Sequence, residues 1–307
     1  MSNNNWTIEF IPDLTGKVII VTGGNSGLGF ESVKAFAQKG AEVILACRSM
    51  DKGEAAKESI LKEKTTGTIA VMTLDLMDLA SVKRFATSFN EKYDKLDVLL
   101  NNAGIMTTPY FLTENGFEGQ MGTNHLGHFA LTGLLLDLIV KTPQSRVINV
   151  SSLAHKSGKM DFDNLLFNDG KGYSPMKAYG RSKLSNLLFT YELQQYFESK
   201  GIDSMSVASH PGASITNLYR QLEKRFWFRF VKPLFAMVSQ EQAMGALPEI
   251  RAAVDPDVKG GQYYGPSNGM KGFPVVVKSN AASHNTEDAK SLWIASENLT
   301  GIKYLIK

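Results

Sequence analysis

The sequence predicts an α/β fold, a doubly wound parallel sheet with helices on both faces. Three observations carry that expectation. Short apolar runs recur along the chain at Val18–Val21, Val43–Ala46, Ile69–Leu74, Val98–Leu100, Val147–Val150 and Met205–Ala208. They are often β-branched and mostly lack period-two alternation, the pattern of strands buried on both faces of a parallel sheet. Between them apolar residues repeat at helical spacing, as at Val33, Phe36 and Ala37 or at Leu184, Leu187, Leu188 and Tyr191. Strand and helix in alternation build βαβ units with right-handed crossovers, and ligands then bind beyond the carboxyl ends of the strands.

Composition agrees with this class and excludes others. With 43% hydrophobic and 21% charged residues over 307 positions, a sizeable core can be buried and a disordered chain is excluded. A net charge of +3 is too weak to argue for a nucleic-acid partner. One cysteine, Cys47, rules out an intrachain disulfide or a thiolate cluster. Five scattered histidines without an H-E-x-x-H motif give no expectation of a metal site. The Asn-rich start lacks the basic and apolar regions of a signal peptide. No window approaches the ~18 apolar residues of a membrane span, and the most apolar stretch, 126–140, is interrupted by Gly127, His128 and Asp137. A cytoplasmic protein is therefore the expectation.

No repeat or linker divides the chain, so one domain is expected over 1–307. Its core would span about 15–212 and an elaborated C-terminal part about 213–307. In that part 213–250 reads as helical and aromatic. Residues 255–280 are rich in Gly, Pro and Tyr, with one strand near Gln262–Tyr264, and Asp288–Glu297 reads as a closing helix.

The first strand runs into Thr22-Gly23-Gly24-Asn25-Ser26-Gly27-Leu28-Gly29 and then a helix. Glycines there let the chain turn sharply and let a diphosphate approach the free N–H groups of the helix N-terminus. The spacing is G-x-x-x-G-x-G at Gly23, Gly27 and Gly29, with Ser32 where a G-x-G-x-x-G fingerprint has its third glycine. An ordinary tight βα turn would read the same way. The second strand ends in Cys47-Arg48, where NAD enzymes usually place an acid that bonds the adenosine ribose. A guanidinium instead suits a 2′-phosphate; the bland alternative is an exposed arginine.

Tyr179 and Lys183, in Tyr179-Gly180-Arg181-Ser182-Lys183, fall on one face of a helix. An ammonium beside a phenol lowers the phenol pKa and suits it to proton transfer near neutral pH, although such pairs also arise on solvated helices. Ser151-Ser152 follow the fifth strand and could bond a substrate oxygen or cap a turn. No G-x-S-x-G elbow supports a serine hydrolase. His125 and His128 are helix-spaced and read as packing or solvent-facing residues.

Taken together these residues resemble the short-chain dehydrogenase/reductase family, a Rossmann-fold family, over roughly Thr15 to Thr216. Thr22 to Gly29 is similar to its coenzyme loop, with Asn25, Ser26 and Leu28 between the glycines. Asn101-Asn102-Ala103-Gly104 resembles its N-N-A-G, and Asn124 its helix asparagine. Asp75, followed by Leu76, resembles the acid that meets the adenine. Ser152, Tyr179 and Lys183 resemble the catalytic serine and the Y-x-x-x-K pair, and Pro211-Gly212 with Thr216 the P-G-x-x-x-T that meets the nicotinamide. Leu292-Trp293 and Ser296 to Gly301 resemble the tail of the retinol dehydrogenase and WW-domain oxidoreductase branch.

The resemblance implies an NADP(H)-dependent oxidoreductase that interconverts a hydrophobic aldehyde or ketone and its alcohol. Tyr179 would be the acid/base, Lys183 would hold the nicotinamide ribose and tune Tyr179, and Ser152 would bond the substrate oxygen. Asn124 would hold a water linking Lys183 to solvent. Arg48 with Cys47 favours NADP(H) over NAD(H). The competing class is a non-catalytic dinucleotide-binding redox sensor, which need not keep a proton donor beside the hydride site. Two departures stand out. Ser152 and Tyr179 lie further apart than is usual in the family, and the insert around Asp161–Ser174 could cover a subunit interface or the substrate mouth. A monomer or dimer is then expected rather than the family's usual tetramer. The apolar N-terminal anchor of membrane-bound retinol dehydrogenases is also missing from the sequence, which weakens retinoid as the substrate. Residues 224–237 interleave Lys224, Arg225, Arg229 and Lys232 with five aromatic residues. They read as a lid over an apolar pocket, with peripheral membrane contact as the second reading.

Overall fold

In a computed structural model, residues 5–213 and 241–306 are described. Thr216 and the segment 224–237 lie outside the described residues. Within them eight strands form one sheet: β1 (Val18–Thr22), β2 (Glu42–Cys47), β3 (Thr68–Thr73), β4 (Val98–Asn101), β5 (Arg146–Val150), β6 (Met205–Ser209), β7 (Tyr263–Pro266) and β8 (Pro274–Val276). The order is β3-β2-β1-β4-β5-β6-β7-β8. Neighbouring strands are parallel throughout, except that β8 runs antiparallel to β7.

The continuous apolar runs are explained by the two faces. Ile19 and Val21, Val43 and Leu45, Leu100 and Ile148 enter one core layer. Their neighbours Val18 and Ile20, Ile44 and Ala46, Leu99 and Val147 enter the other. Because both faces are covered, alternation of residue polarity has no work to do. The first layer is closed by α1 (Gly27–Gln38), α2 (Met50–Leu61) and α8 (Gln242–Val254), which supply Phe36, Ile60 and Ile250. The second is closed by α3 (Leu79–Lys92), α5 (Gly127–Leu134) and α7 (Pro175–Ser199), which supply Phe89, Phe129 and Phe197.

Local chemistry sets the helix ends. The Asp78 carboxylate accepts from the N–H of Ala80 at the start of α3. Ser174 caps α7 ahead of Pro175, whose missing N–H costs nothing at that position. Gly301, at φ +69°, ends α9 (Thr286–Thr300) in the left-handed region.

The structure differs from the sequence reading at several elements. The late strand is Tyr263–Pro266, and it is followed by the antiparallel β8, a run too short to be read from its pattern. The apolar stretch 126–140 is not one helix. It is divided between α5 and α6 (Leu136–Lys141), with Leu135 between them outside helical geometry. Ahead of α5, the short α4 (Gly119–Met121) passes into a π turn, Gly122–Leu126. The closing helix starts at Thr286, two residues earlier than expected, because Asn285 caps it by accepting from the N–H groups of Glu287 and Asp288.

Candidate active site

The strand order reverses between β1 and β4, and the two chains leave the sheet in opposite directions there. That divergence opens a crevice. A cleft of about 420 Å³ occupies it, within the usual range for small-molecule sites.

The glycine turn after β1 forms its floor, with Gly23, Asn25, Ser26, Gly27 and Leu28 all lining the cleft. Gly23 and Gly27 have φ of +69° and +62°, a region other residues enter only with strain. Ser26 precedes α1 but its side chain makes no cap hydrogen bond, so no side chain at that position covers the first-turn N–H groups facing the cleft. Gly29 lies behind the lining. A Cβ there would stand 2.5 Å from the Asn102 amide nitrogen and 2.6 Å from the Gly23 carbonyl oxygen. Gly29→Ala is therefore expected to displace the turn. Its cost in stability should be about 1–3 kcal/mol, with at least tenfold weaker dinucleotide binding, read by thermal melting and fluorescence titration.

Thr22 ties this turn to the one after β4. Its hydroxyl accepts from the N–H groups of Asn102 and Ala103, each at 3.0 Å, while the Asn102 side chain donates to the Thr22 carbonyl at 2.7 Å. Asn102, Ala103 and Gly104 line the cleft beside it.

One end of the cleft is built by β2 and β3. Cys47, Arg48, Asp75 and Leu76 line it, joined by Met77. Arg48 is exposed, with one guanidinium nitrogen 3.8 Å from the Met77 sulfur. The Cys47 thiol donates to the carbonyl of Ser49 at 3.1 Å, and burial pushes its pKa up. The thiol is therefore uncharged at neutral pH. Asp75 accepts from the N–H of Met77 at 3.0 Å, which holds the turn after β3.

At the other end lie Tyr179 and Lys183, both buried and both lining the cleft, on a helix whose residues 178–190 are all buried. The solvated-helix alternative therefore fails for this pair. The Lys183 ammonium donates to the Val150 carbonyl at 2.9 Å and lies 5.8 Å from the centre of the Tyr179 ring. Burial pulls its pKa down to about 8, opposed by the charge of Glu249.

Asn124 is on the π turn, a local departure that often marks functional sites. It does not line the cleft but braces it. Its side chain accepts from the N–H of Ile105 at 2.8 Å and donates to the Ile105 carbonyl and to the Ser182 hydroxyl, while Ser182 donates to the Tyr179 carbonyl. Ser152 is half-buried and accepts from the N–H of Ala154 at 3.2 Å, so it caps the short helix Leu153–Ser157. Ser151, not Ser152, is among the lining residues, as is Pro211; Gly212 is not.

Other residues of the site carried no motif. Ile105, Met106 and Thr123 line the cleft. Glu249, on α8, is fully buried and accepts from the Ser32 hydroxyl at 2.7 Å, and burial raises its pKa to about 8.

The insert packs against α7. Arg181, buried between Tyr179 and Lys183 in sequence, donates to the carbonyls of Lys159, Asn164 and Leu165 and stacks 4.0 Å from the centre of the Phe167 ring. Tyr173 then donates to the Thr108 carbonyl at 2.7 Å and meets Tyr110 edge-on. The insert thus ties α7 to the segment that follows Gly104.

Comparison with known proteins agrees with this geometry. The sequence profile described as short chain dehydrogenase matches residues 17–165. Human retinol dehydrogenase 13 is 38% identical over 296 residues, covering 94% of this chain and 86% of that protein. The chicken WW domain-containing oxidoreductase is 40% identical, covering 94% of this chain and 69% of that protein. A crystal structure of an uncharacterized protein from Mycobacterium Paratuberculosis superposes with a TM-score of 0.83 at 39% identity, covering 98% of this chain and all of that one. With this agreement of sequence, sheet order and switch-point cleft, the chain belongs to the short-chain dehydrogenase family, in its retinol dehydrogenase-like branch, and has the Rossmann-type fold of that oxidoreductase family.

Proposed function

We propose that the protein is an NADP(H)-preferring oxidoreductase that interconverts a hydrophobic aldehyde or ketone and its alcohol. The observation that carries the reading is the placement of Tyr179 and Lys183 together at one end of a cleft whose other end presents an exposed arginine. The dinucleotide fits the residues present. The glycine turn offers uncapped N–H groups for a diphosphate, Asp75 and Leu76 flank the adenine end, and no carboxylate among the described residues lies within salt-bridge distance of Arg48. When bound, the coenzyme supplies or accepts the hydride.

The chain's own residues handle the proton. Tyr179 donates its phenolic proton to the substrate oxygen in reduction and takes it back in oxidation. Lys183 places positive charge beside the ring and stabilises the phenolate. Ser152 hydrogen-bonds the substrate oxygen as charge develops, its O–H donating while its oxygen still accepts from the Ala154 N–H. Ile105 and Met106 give the cleft apolar walls that suit a hydrophobic substrate. Pro211, with Gly212 and Thr216, holds the nicotinamide end. The reading includes a monomer or dimer acting in the cytoplasm, with 224–237 as a lid. Gel filtration and salt-sensitive co-sedimentation with anionic vesicles test those parts.

The direct test is a screen of aldehydes and ketones that follows NADPH absorbance. Turnover of no carbonyl compound would overturn the reading. A pH profile adds a sharper check. Lys183 carries its charge below about 8 and loses it above. The rate of reduction is therefore expected to fall as pH rises through about 8, by roughly tenfold per unit beyond it. A rate that is flat to pH ~10 would remove the ammonium from the mechanism.

A further inference from the structure

His128 lies on α5, one turn beyond Asn124, and is 2% exposed. Its Nδ1 is 3.1 Å from the Asn124 carbonyl oxygen, and its Nε2 is 2.9 Å from the Thr22 hydroxyl. A carbonyl oxygen only accepts, so Nδ1 carries the ring hydrogen and donates it. Nε2 is then a bare lone pair, and the Thr22 hydroxyl donates to it. The Thr22 oxygen keeps its own lone pairs for the N–H groups of Asn102 and Ala103.

Every hydrogen bond therefore points one way, from the 102–103 backbone through Thr22 and His128 to Asn124. The Leu100 carbonyl, 3.3 Å from the Thr22 hydroxyl, is a competing acceptor. If Thr22 donated there, the buried Nε2 lone pair would lose its donor, and a hydrogen placed on Nε2 would meet a Thr22 oxygen whose two lone pairs already accept from Asn102 and Ala103. Burial opposes a charged imidazole, helped by the nearby Lys183 ammonium, and pulls its pKa down to about 4.

Both ends of the line reach the site. Asn102 and Ala103 line the cleft, and Asn124 braces Ile105 and, through Ser182, the backbone of Tyr179. We propose that His128 is a positioning residue that couples the dinucleotide-binding turns at Thr22 and Asn102 to the π turn at Asn124, so that seating a nicotinamide dinucleotide steadies the helix bearing Tyr179 and Lys183. Its effect on turnover rests on the function proposed above, whereas its tautomer and its link to dinucleotide binding stand independently.

Nitrogen-15 NMR of the histidine-labelled protein tests both. His128 should show a protonated Nδ1 and a pyridine-like Nε2 between about pH 6 and 9. Its signals should move when NADPH saturates the protein. An Nε2–H tautomer, a titration near the ordinary value of 6.5, or signals unmoved by saturating NADPH would overturn the proposal.

Substitution supplies the second arm. His128→Phe should weaken NADPH binding and lower kcat, each by roughly tenfold. His128→Gln, which keeps a donor and an acceptor, should restore part of both. A Phe variant that melts earlier yet binds and turns over as the wild type does would make His128 a packing residue and overturn the coupling. If the Phe variant does not fold, the NMR arm decides. Should the unmodified protein reduce no carbonyl compound, the proposed function fails, while NMR and NADPH affinity still judge His128.

Discussion

Tyr179→Phe is expected to lower turnover by roughly 10²–10⁴ while NADPH affinity stays within a few-fold of the wild type. The substitution keeps the buried ring and its position near the Lys183 ammonium, and removes only the phenolic oxygen. Packing of α7 is thereby preserved, so a loss of rate reports lost proton transfer rather than lost structure. Lys183 still donates to the Val150 carbonyl, which is why the coenzyme end should be unaffected. Steady-state kinetics by NADPH absorbance, with fluorescence titration of NADPH, separates the two effects. Turnover within a few-fold of wild type would remove Tyr179 as the acid.

The second large effect concerns coenzyme choice. Wild type should bind NADPH roughly ten- to hundredfold more tightly than NADH, because a guanidinium can make a charge-assisted, bidentate bond to the 2′-phosphate. Arg48→Ala should weaken NADPH and leave NADH nearly unchanged. Cys47→Asp should reverse the preference, since a carboxylate would take the place of an uncharged thiol. That variant should also be less stable, because position 47 is 4% exposed and a carboxylate there would be largely buried. Added salt should erode the wild-type preference, as Arg48 is at the surface. Titration of both dinucleotides against the three proteins decides, and equal affinities in the wild type would defeat this role for Arg48.

Much of this was legible before any coordinates. Strands buried on both faces read plainly because both neighbouring layers are apolar. The glycine turn, Asn102, Tyr179 and Lys183 were each open to an ordinary reading, and only their joint order and spacing carried the resemblance. What escaped was chemistry that depends on distant partners. Nothing in the sequence pairs Ser32 with Glu249, which is 217 residues away. His128 read as a packing or solvent-facing residue because its partner Thr22 lies 106 residues earlier. The π turn left no mark, since one added residue in a helical turn changes no residue type. The long gap before Tyr179 was visible, but that Arg181 would bind the insert to α7 was not. An arginine two residues from the tyrosine reads as a solvated charge until the carbonyls around it are known.

The antiparallel β8 bears on how the molecule behaves when crowded. A parallel sheet that stopped at β7 would present an open row of backbone donors and acceptors to any other extended chain. Here the sheet ends instead in a strand of three residues that begins with Pro274, paired across from Pro266. Proline offers no N–H, and three residues are too few to template a stable added strand. This edge therefore discourages strand-to-strand aggregation at high concentration, although Val276 leaves an apolar side chain in solvent.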